Sequence, residues 1–243
     1  MKIVATIEAR MTSTRLPGKV LLPANGKPML EHLVNRLKQV KSVYEIVLAT
    51  TINQTDDCLV EFARKNEISC FRGSEEDVMS RVIGAGDAAE SDILVEITGD
   101  CPLIDPFLVE QSIQMYLHND CEYVCPAKSY PVGVGSVQVY PLEVLKRSAA
   151  MTDDPLVHEH VTLHIRRNKE LFKHLYMVAA PDQWWPELEL VLDEQKDYEI
   201  LKKIIEYFGD ENPYFSCREI VELFKSKPDW IAINRDVKRK GDT

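Results

Sequence analysis

The regular alternation of short apolar runs with amphipathic helical patterns is the feature that most constrains how this chain folds. Four β-branched apolar runs in the first half of the sequence are each followed by a helical pattern. The runs lie at residues 2–7, 45–50, 68–73 and 92–100, and the helical patterns at 28–40, 55–65, 75–89 and 106–118. Strands that alternate with helices indicate βαβ crossovers and a mostly parallel central sheet, and apolar strands of this kind need helices on both faces. The sequence therefore predicts an α/β, Rossmann-like fold.

The rhythm of the sequence changes after residue 120. Short strand-like segments at 122–125 and 136–140 are separated by SYPVGVG, whose proline and glycines predict a turn-rich connection. We expect a small insertion or a sheet-edge subdomain here. The further predictions are a helix at 155–168, a strand at 187–192, a helix at 194–208, a C-terminal helix with an extended finish, and a frayed end at 235–243.

Length and composition favour one globular domain spanning residues 1–243. The apolar fraction of 45% is ordinary for a protein that folds unaided, and no internal repeat or low-complexity linker divides the sequence. The formal net charge of −10 argues against a general polyanion-binding surface, because affinity for a phosphate backbone is built from clustered Lys and Arg. Nucleic acid is therefore not expected as a partner, although a local basic loop could still hold a nucleotide.

The N-terminus and the cysteines point to a reducing, cytoplasmic setting. The N-terminal apolar run, residues 3–7, is too short for a signal-peptide core or for the roughly 20 residues of a membrane span. The six cysteines are scattered without a CxxC pair, so neither a disulfide framework nor a zinc site is indicated. We expect a cytoplasmic protein with no membrane partner and with reduced thiols.

The loop that follows the first strand concentrates groups suited to phosphate. Its sequence, EARMTSTRLPGKVL at residues 8–21, contains Arg10, Arg15 and Lys19 among hydroxyl side chains and accessible backbone amides. Ligands of open parallel sheets bind at the carboxyl ends of the strands, where this loop would lie. Because the loop lacks the P-loop and GxGxxG patterns, it predicts either a different phosphate site or a solvated basic loop.

Five segments carry a resemblance to a known family. RMTSTRLPGKVL closely resembles the signature of the cytidylyltransferases that activate Kdo and sialic acids, especially their SpsF-like branch. The other matches, in the family's order, are FRGSEEDVMSR at 71–81, ITGDCPLIDP at 97–106, EHVTLHIRRN at 159–168 and VLDEQKDYE at 191–199. The resemblance implies a fold of the nucleotide-diphospho-sugar transferase type and transfer of CMP from CTP to an acidic sugar or related small acceptor. It also implies a homodimer, for which the region 122–186 is the expected contact.

By this resemblance the first loop and the third strand hold the nucleotide. The implied contacts are Ala9, Arg10, Thr12, Ser13, Arg15, Lys19, Arg72 and Gly73. The catalytic residues would be Arg10, Arg15 and Lys19, which act through their charges on the triphosphate. Arg72 could instead form a structural ion pair. No covalent nucleophile is needed, and the general base stays unassigned.

Two aspartates are the predicted ligands of Mg²⁺. Asp100 follows the apolar run ILVEI, so its carboxylate should enter the crevice beside the first loop, where hard oxygen ligands suit Mg²⁺ on a triphosphate. Asp193 follows the apolar run at 187–192, and in the resembled family an aspartate at this place shares the ion. Asp100 could also be a turn former and Asp193 a helix N-cap. Asp105, before Pro106, fits an N-cap.

The acceptor side is the least constrained part of the sequence. By resemblance Gln138, Glu159 and His160 fall in blocks that would contact the acceptor, although packing is the default role of the histidines. The pattern HEHVT lacks the spacing of the zinc-protease HExxH, which excludes that class. Many relatives carry an acidic pair where this chain has Ser136 and Gln138, so a relative's sugar specificity should not be transferred.

Two other functions stay open at the level of sequence. A sugar-nucleotide-dependent glycosyltransferase usually has a DxD pair, whereas Asp100 is followed by Cys101 and Pro102. A catalytically silent nucleotide-binding protein would lose charge from the site, whereas the two arginines, the lysine and the two aspartates named above are all present. The sequence favours an active, Mg²⁺-dependent cytidylyltransferase.

Overall fold

A seven-stranded sheet organises residues 1–238, which are the residues that the computed structural model describes. Its strands are β1 (Ile3–Glu8), β4 (Glu45–Thr51), β5 (Ser69–Gly73), β6 (Ile93–Thr98), β7 (Tyr123–Pro126), β8 (Gln138–Pro141) and β9 (His174–Met177); β2 (Pro23–Ala24) and β3 (Lys27–Pro28) form a separate hairpin. The helices are α1 (Met29–Leu37), α2 (Asp57–Lys65), α3 (Val78–Ala88), α4 (Pro106–Leu117), α5 (Leu142–Ala149), α6 (Pro155–Glu159), α7 (Leu163–Arg167), α8 (Gln195–Phe208) and α9 (Cys217–Ser226). Short 3-10 helices span Lys19–Leu21, Gln54–Asp56 and Pro228–Ala232.

The sheet is mostly parallel, in the order β5-β4-β1-β6-β8-β7-β9. The first four of these strands run parallel, β8 is antiparallel to β6 and β7, and β9 is parallel to β7. The predicted parallel α/β sheet is confirmed, and the strands after residue 120 extend this same sheet as its edge. Because β1, β4 and β6 point the same way, the loops that follow them meet at one end of the sheet. Among the described helices, none is long and apolar enough to cross a bilayer.

Alternation along β1 divides the core into two clusters. Ile3, Ala5 and Ile7 pack on the face covered by α1, α4, α8 and α9, whereas Val4 packs on the opposite face with α3 and α5. Helices on both faces are thus confirmed. On the second face the strand ends in the polar side chains of Thr6 and Glu8, which lie toward the end of the sheet where ligands bind.

The region predicted as a single helix at 155–168 forms two short helices, α6 and α7, so that prediction was wrong. Between them Val161 has a left-handed backbone with a φ of 40°. Val161 and Thr162 are both buried, and the Thr162 hydroxyl donates to Gln138 Oε1 at 2.5 Å. The break lets two consecutive side chains point inward, which a continuous helix would not allow so readily. His160 and His164 therefore do not share one helical face, despite their spacing of four.

The segment at 187–192 is extended but is not a strand of the sheet, so that prediction was also wrong. Its backbone pairs with a turn: Leu190 N donates to the Val132 carbonyl, and Val132 N donates to the Leu188 carbonyl, both at 2.9 Å. Gly133 suits this turn because its φ is 87° and a Cβ atom would lie 2.4 Å from the Leu190 carbonyl oxygen. An apolar run does not reveal whether its partner is a strand or a turn.

Smaller differences concern elements that carry no part of the site. Helix α5 was not predicted, and the expected extended finish after α9 is the 3-10 helix Pro228–Ala232. The helices α8 and α9 agree with prediction. Of the end predicted to fray, residues 239–243 lie outside the described residues.

Candidate functional site

The loop after β1 folds back on itself at the carboxyl end of the sheet. Gly18 N donates to the Met11 carbonyl at 2.9 Å, which closes the loop. Gly18 has a φ of 69°, a left-handed conformation that glycine adopts without strain, and the 3-10 helix Lys19–Leu21 begins directly after it. The glycine therefore determines where the Lys19 side chain starts.

A buried aspartate that the sequence reasoning missed anchors this loop. Asp56 is fully buried, and its Oδ1 accepts from Met11 N at 2.8 Å. Its Oδ2 accepts from the hydroxyls of Thr50 at 3.0 Å and Thr51 at 2.6 Å. The sequence signal was weak, because an aspartate that comes just before a helix is typical of an ordinary helix start.

Lys19 joins the two predicted metal carboxylates. Its Nζ lies 2.9 Å from Asp193 Oδ1 and 3.3 Å from Asp100 Oδ2, and Arg15 Nη2 lies 2.9 Å from the same Asp193 oxygen. The Lys19 side chain is only 12% exposed, so solvent screens this cluster weakly. Four residues from three distant parts of the chain thus converge on one point, as the sequence predicted.

The charges of this cluster support one another. Burial opposes the charge of Lys19, but Asp100 and Asp193 outweigh it and raise the pKa of the lysine above its usual range. Burial likewise opposes the charge of Asp193, while Lys19 and Arg15 lower the pKa of that carboxyl. The lysine and Asp193 therefore stay ionised through the physiological range.

Backbone contacts hold the two aspartates side by side. Asp100 follows β6, and its carbonyl accepts from Leu192 N at 2.8 Å, which fixes the residue before Asp193. Asp193 is not the N-cap of α8; Glu194 is, and it forms a capping box with Asp197. Asp197 Oδ2 also accepts from Asp193 N at 3.2 Å. The helix cap therefore supports Asp193 and leaves its carboxylate directed at the cluster.

The prediction of a helix cap at Asp105 is confirmed. Its Oδ1 accepts from Phe107 N at 2.8 Å at the start of α4. Its Oδ2 accepts from Cys217 N at 2.7 Å at the start of α9. This aspartate joins two helices and lies outside the charged cluster.

A second group of contacts surrounds Arg10 and Thr12. Arg10 Nη1 donates to Glu75 Oε1 at 2.9 Å, and the Thr12 hydroxyl donates to the same oxygen. Asn53 Nδ2 donates to the other oxygen of Glu75 at 2.5 Å. The bonds from Thr12 and Asn53, with the charge of Arg10, lower the pKa of Glu75. Sequence reasoning missed Glu75, because it lies just ahead of a helix, where an acidic residue is common.

Arg72 forms the structural ion pair that is the alternative to nucleotide binding, together with bonds to two backbone carbonyls. Its guanidinium donates to the carbonyls of Thr51 and Asn53, each at 2.8 Å, and to Asp57 Oδ1 at 2.7 Å. Gly73 closes β5 against its neighbour, since its carbonyl accepts from Ile52 N at 3.1 Å. Of the other predicted nucleotide contacts, Ala9 is buried at the end of β1 and Ser13 is half-buried in the loop.

The predicted acceptor residues do not form one group. Gln138 is held on the second face of the sheet, where its carbonyl oxygen accepts from the hydroxyls of Tyr123 and Thr162. Glu159 and His160 are exposed at the end of α6. Contact with an acceptor stays a prediction for all three residues. The packing role expected of the histidines holds for His164, whose ring lies edge-on to Phe172.

The two aspartates fit Mg²⁺ bound together with a nucleotide. The described residues contain no cluster of three or more His, Cys, Asp or Glu that could enclose an ion. Mg²⁺ usually takes one or two protein carboxylates and completes its shell with phosphate oxygens and water. Asp100 and Asp193 both reach one cationic nitrogen, so their oxygens already face a common point. Together they could hold such an ion beside a triphosphate.

Comparison with known proteins adds relatives along the whole chain. The sequence model of a family described as Cytidylyltransferase matches residues 4–220. The spore coat polysaccharide biosynthesis protein SpsF of Bacillus subtilis is 33% identical over 231 residues, which are 93% of this chain and 95% of that one. An 8-amino-3,8-dideoxy-manno-octulosonate cytidylyltransferase of Shewanella piezotolerans is 36% identical over 124 residues, 51% of each chain. The structure of a cytidylyltransferase from Leptospira borgpetersenii superposes with a TM-score of 0.90 at 31% identity, over 99% of this chain and 100% of that one.

Proposed function

Because the chain belongs to the cytidylyltransferase family, we propose that it transfers CMP from CTP to an acidic sugar or a related small acceptor and releases pyrophosphate. The observation that carries the proposal is the convergence of Arg15 and Lys19 on Asp100 and Asp193. Such cations hold a triphosphate, and such carboxylates hold its metal ion. The names of the relatives from Bacillus and Shewanella support an acceptor used in polysaccharide synthesis and, more narrowly, an octulosonate.

The cations would exchange one set of partners for another when CTP binds. In the free protein Arg10 pairs with Glu75, while Arg15 and Lys19 pair with Asp193 and Asp100. The arginines would form forked contacts to the phosphates, and Lys19 would act as a point charge on the α-phosphate, where negative charge builds in the transition state. Because these side chains are already held in place, little ordering is needed at the moment of reaction.

A metal ion would balance the charges that this exchange leaves behind. Once Lys19 turns to phosphate, Asp100 and Asp193 lose their cationic partner while a polyanion lies nearby. Mg²⁺ bound there would neutralise charge on the phosphoryl oxygens and leave the two carboxylates paired. We therefore propose that Asp100 and Asp193 hold Mg²⁺ and that CTP binding depends on it.

The proposal extends to a cytoplasmic homodimer formed through the edge of the sheet. Exposed apolar side chains lie on and after the edge strand β9, at Tyr176, Val178 and Trp184. By contrast, Trp185 is partly buried, and it packs edge-on against Phe224 of the core. Exposed apolar groups beside an open strand edge favour pairing with another surface.

Calorimetric titration with each of the four ribonucleoside triphosphates, with Mg²⁺ and then with a chelator, tests the nucleotide and the metal together. We expect selective binding of CTP that weakens strongly when the metal is removed. Pyrophosphate release with 3-deoxy-manno-octulosonate and its 8-amino-8-deoxy analogue then tests the acceptor class. Asp100→Asn should abolish turnover while the protein still folds and unfolds in a cooperative thermal transition.

The same titrations separate the rival functions. Preference for UTP or for a nucleotide sugar would favour a glycosyltransferase. Binding of CTP with no release of pyrophosphate in the presence of any acidic sugar would favour a silent nucleotide-binding protein. Full activity of Asp100→Asn would remove that residue from the site.

A further inference from the structure

A buried carboxylate without a hydrogen-bond partner lies next to the nucleotide loop. Glu8 is the last residue of β1 and directly precedes Ala9 and Arg10. Among the described residues, neither of its carboxylate oxygens has a hydrogen-bond partner within 3.5 Å. An unpaired buried polar group costs about 1–3 kcal/mol of folding free energy, and a charged one more. A group retained at such a cost calls for a functional explanation.

Glu8 faces one carboxylate and one guanidinium on the second face of the sheet. Glu96 faces it from β6, and Arg81, which is 3% exposed, faces it from α3. Burial and the charge of Glu96 raise the pKa of Glu8 well above its usual range. The charge of Arg81 and the nearby Thr6 hydroxyl, which lies outside hydrogen-bonding geometry, oppose this rise. Tyr140 of β8 donates to Glu96, and Arg166 of α7 acts on Glu96 through its charge. The carboxylates therefore form a coupled pair that takes up a proton more readily than isolated glutamates do.

The position of Glu8 places it beside the proposed metal carboxylate. In the β1–β6 pairing Glu8 lies opposite Thr98, so the two side chains share a face. The Thr98 hydroxyl donates to Asp100 Oδ1 at 2.6 Å. Thr98 therefore connects the two carboxylates: it lies opposite Glu8 in the strand pair and is bonded to Asp100. Thr98 is exposed, so an acceptor can approach the end of the sheet next to Glu8. Both carboxylate oxygens of Glu8 are buried in the free protein, so a role in proton transfer requires the side chain to change rotamer when the substrates bind.

From this geometry, and resting on the proposed function, we propose that Glu8 is the general base that takes the proton of the attacking acceptor hydroxyl. A sugar hydroxyl is a poor nucleophile until its proton is removed, whereas an acceptor that attacked through a carboxylate would need no base. The position of Glu8 supports this role, since it leads directly into the first loop and lies opposite Thr98, which donates to Asp100. Glu96 is a positioning residue in this scheme, because it sets how readily Glu8 holds a proton.

The transfer step balances without a further reactant. The acceptor oxygen forms a bond to the α-phosphorus, and the bond from that phosphorus to the bridging oxygen of the β-phosphate breaks. Pyrophosphate leaves with the electron pair of the broken bond. The hydroxyl proton moves to the Glu8 carboxylate and returns to water after the product departs.

The test compares Glu8→Gln with Glu143→Gln, a control at an exposed glutamate on α5. Pyrophosphate release is followed from pH 5 to 9 with CTP and whichever of the two octulosonates the wild type uses. We expect kcat of Glu8→Gln to fall by about 10²–10⁴-fold, with unchanged affinity for CTP, and the control to match the wild type. The acid limb of the wild-type profile should disappear in Glu8→Gln. In Glu96→Gln that limb should move to lower pH, because the neighbouring charge that favours the proton on Glu8 is gone.

A second variant guards against a folding defect. Glu8→Asp keeps the carboxylate on a shorter stem, so we expect a lower kcat with the acid limb retained. A Glu8→Gln enzyme with wild-type kcat, or one whose kcat and CTP affinity fall together, would overturn the assignment of the base. An acid limb that stays in place in Glu96→Gln, or vanishes in Glu8→Asp, would also overturn it. A wild type that binds CTP but transfers nothing to either octulosonate would contradict the proposed acceptor class and the base with it. If the wild type does turn over, a negative result in the Glu8 variants contradicts only the assignment of the base.

Discussion

The positions of single charged residues explain how the free protein holds its phosphate-binding groups ready. Lys19 lies within 3.3 Å of carboxylates from two separate parts of the chain, and Asp193 shares its oxygen between Lys19 and Arg15. Two carboxylates so close together would repel each other if no cation lay between them. Lys19 therefore has a structural role before CTP binds and a proposed catalytic role afterwards.

Replacing Lys19 tests both roles. Lys19→Met should lower the free energy of unfolding by about 2 kcal/mol, because Asp100 loses its partner in a place that solvent screens weakly. It should also weaken CTP binding at least about tenfold, the effect of about 1.4 kcal/mol of lost contact. Urea unfolding and calorimetry measure the two effects. The matched control is Lys146→Met, whose exposed pairs with Asp87 and Glu143 should contribute less than about 1 kcal/mol; equal effects of the two changes would contradict the role of Lys19.

Glu96 should make the stability of the protein depend on pH. Burial raises its pKa from the ordinary value of 4.5 to about 7, against the bond from Tyr140 and the charge of Arg166. Between these two values the folded protein holds a proton that the unfolded chain has lost, so stability falls as the pH rises from about 4.5 to about 7. Glu96→Gln should remove this part of the loss and be more stable than the wild type at pH 8 by about 3 kcal/mol, but not at pH 4. Urea unfolding at the two pH values measures the difference, and a variant with the wild-type slope would refute it.

At the scale of helices and strands, the cap of α8 connects folding to the site. Asp197 accepts from the backbone of Asp193 and Glu194 and also binds Asn234 Nδ2 at 2.9 Å. The side chain that begins the helix thereby fixes the backbone of a proposed metal ligand. Helix α9 has a second capping box, formed by Ser216 and Glu219, which lies outside the charged cluster.

The two capping boxes give a matched pair of variants. Asp197→Ala and Glu219→Ala should each lower the free energy of unfolding by about 1–2 kcal/mol, because each leaves backbone donors unpaired. Only Asp197→Ala should raise the Mg²⁺ concentration needed for half-maximal pyrophosphate release, since only it frees the backbone of Asp193. Metal titrations of both variants measure this. A similar shift in both variants, or in neither, would contradict the claim that the cap of α8 supports the metal site.

Elements with a strong local pattern could be predicted from the sequence, whereas elements fixed by distant contacts could not. The four strand-helix units were predictable because their periodicity is strong and each strand pairs with a neighbour of the same kind. The extended segment at 187–192 was misread because its partner is the turn at Val132, which no local pattern shows. The break at Val161 buries both Val161 and Thr162. Their burial depends on contacts distant in the sequence, so no local pattern predicts it.

The candidate site divides in the same way. Lys19, Asp100 and Asp193 could be predicted, because two of them follow apolar runs and all three fall in the segments that resemble the family. Asp56 and Glu75 support the loop, but each comes just before a helix, so the sequence alone gives them an ordinary role as helix starters. Glu8 is the first residue of the loop at 8–21 and was not predicted, because its buried, unpartnered state arises only when β6 and α3 pack beside β1.

At the scale of the whole molecule, the middle of the sheet carries the charged site and the β9 edge carries exposed apolar side chains. The described site lies after β1 and β6, near the middle of the sheet, whereas β9 forms one open edge. Val178, just beyond that strand, is 62% exposed, and Tyr176 and Trp184 are exposed nearby in sequence. Scattered apolar residues on a surface need no explanation, but apolar residues next to an open strand edge create a risk of uncontrolled association. A defined dimer would cover them.

Substitution of Val178 tests whether this edge forms the proposed homodimer. A lysine there would place a charge in an apolar contact, so Val178→Lys should convert a wild-type dimer into a monomer, because an unpaired charge is costly to bury. Phe107→Lys is the matched control, since Phe107 is 71% exposed at the start of α4 and is not one of the exposed residues on or after β9. Sedimentation equilibrium measures the mass of each protein, and calorimetry should give all three the same affinity for CTP, because Arg10, Arg15, Lys19, Asp100 and Asp193 come from one chain. A monomeric wild type, or a dimer that tolerates the lysine at 178 but not at 107, would move the interface away from β9.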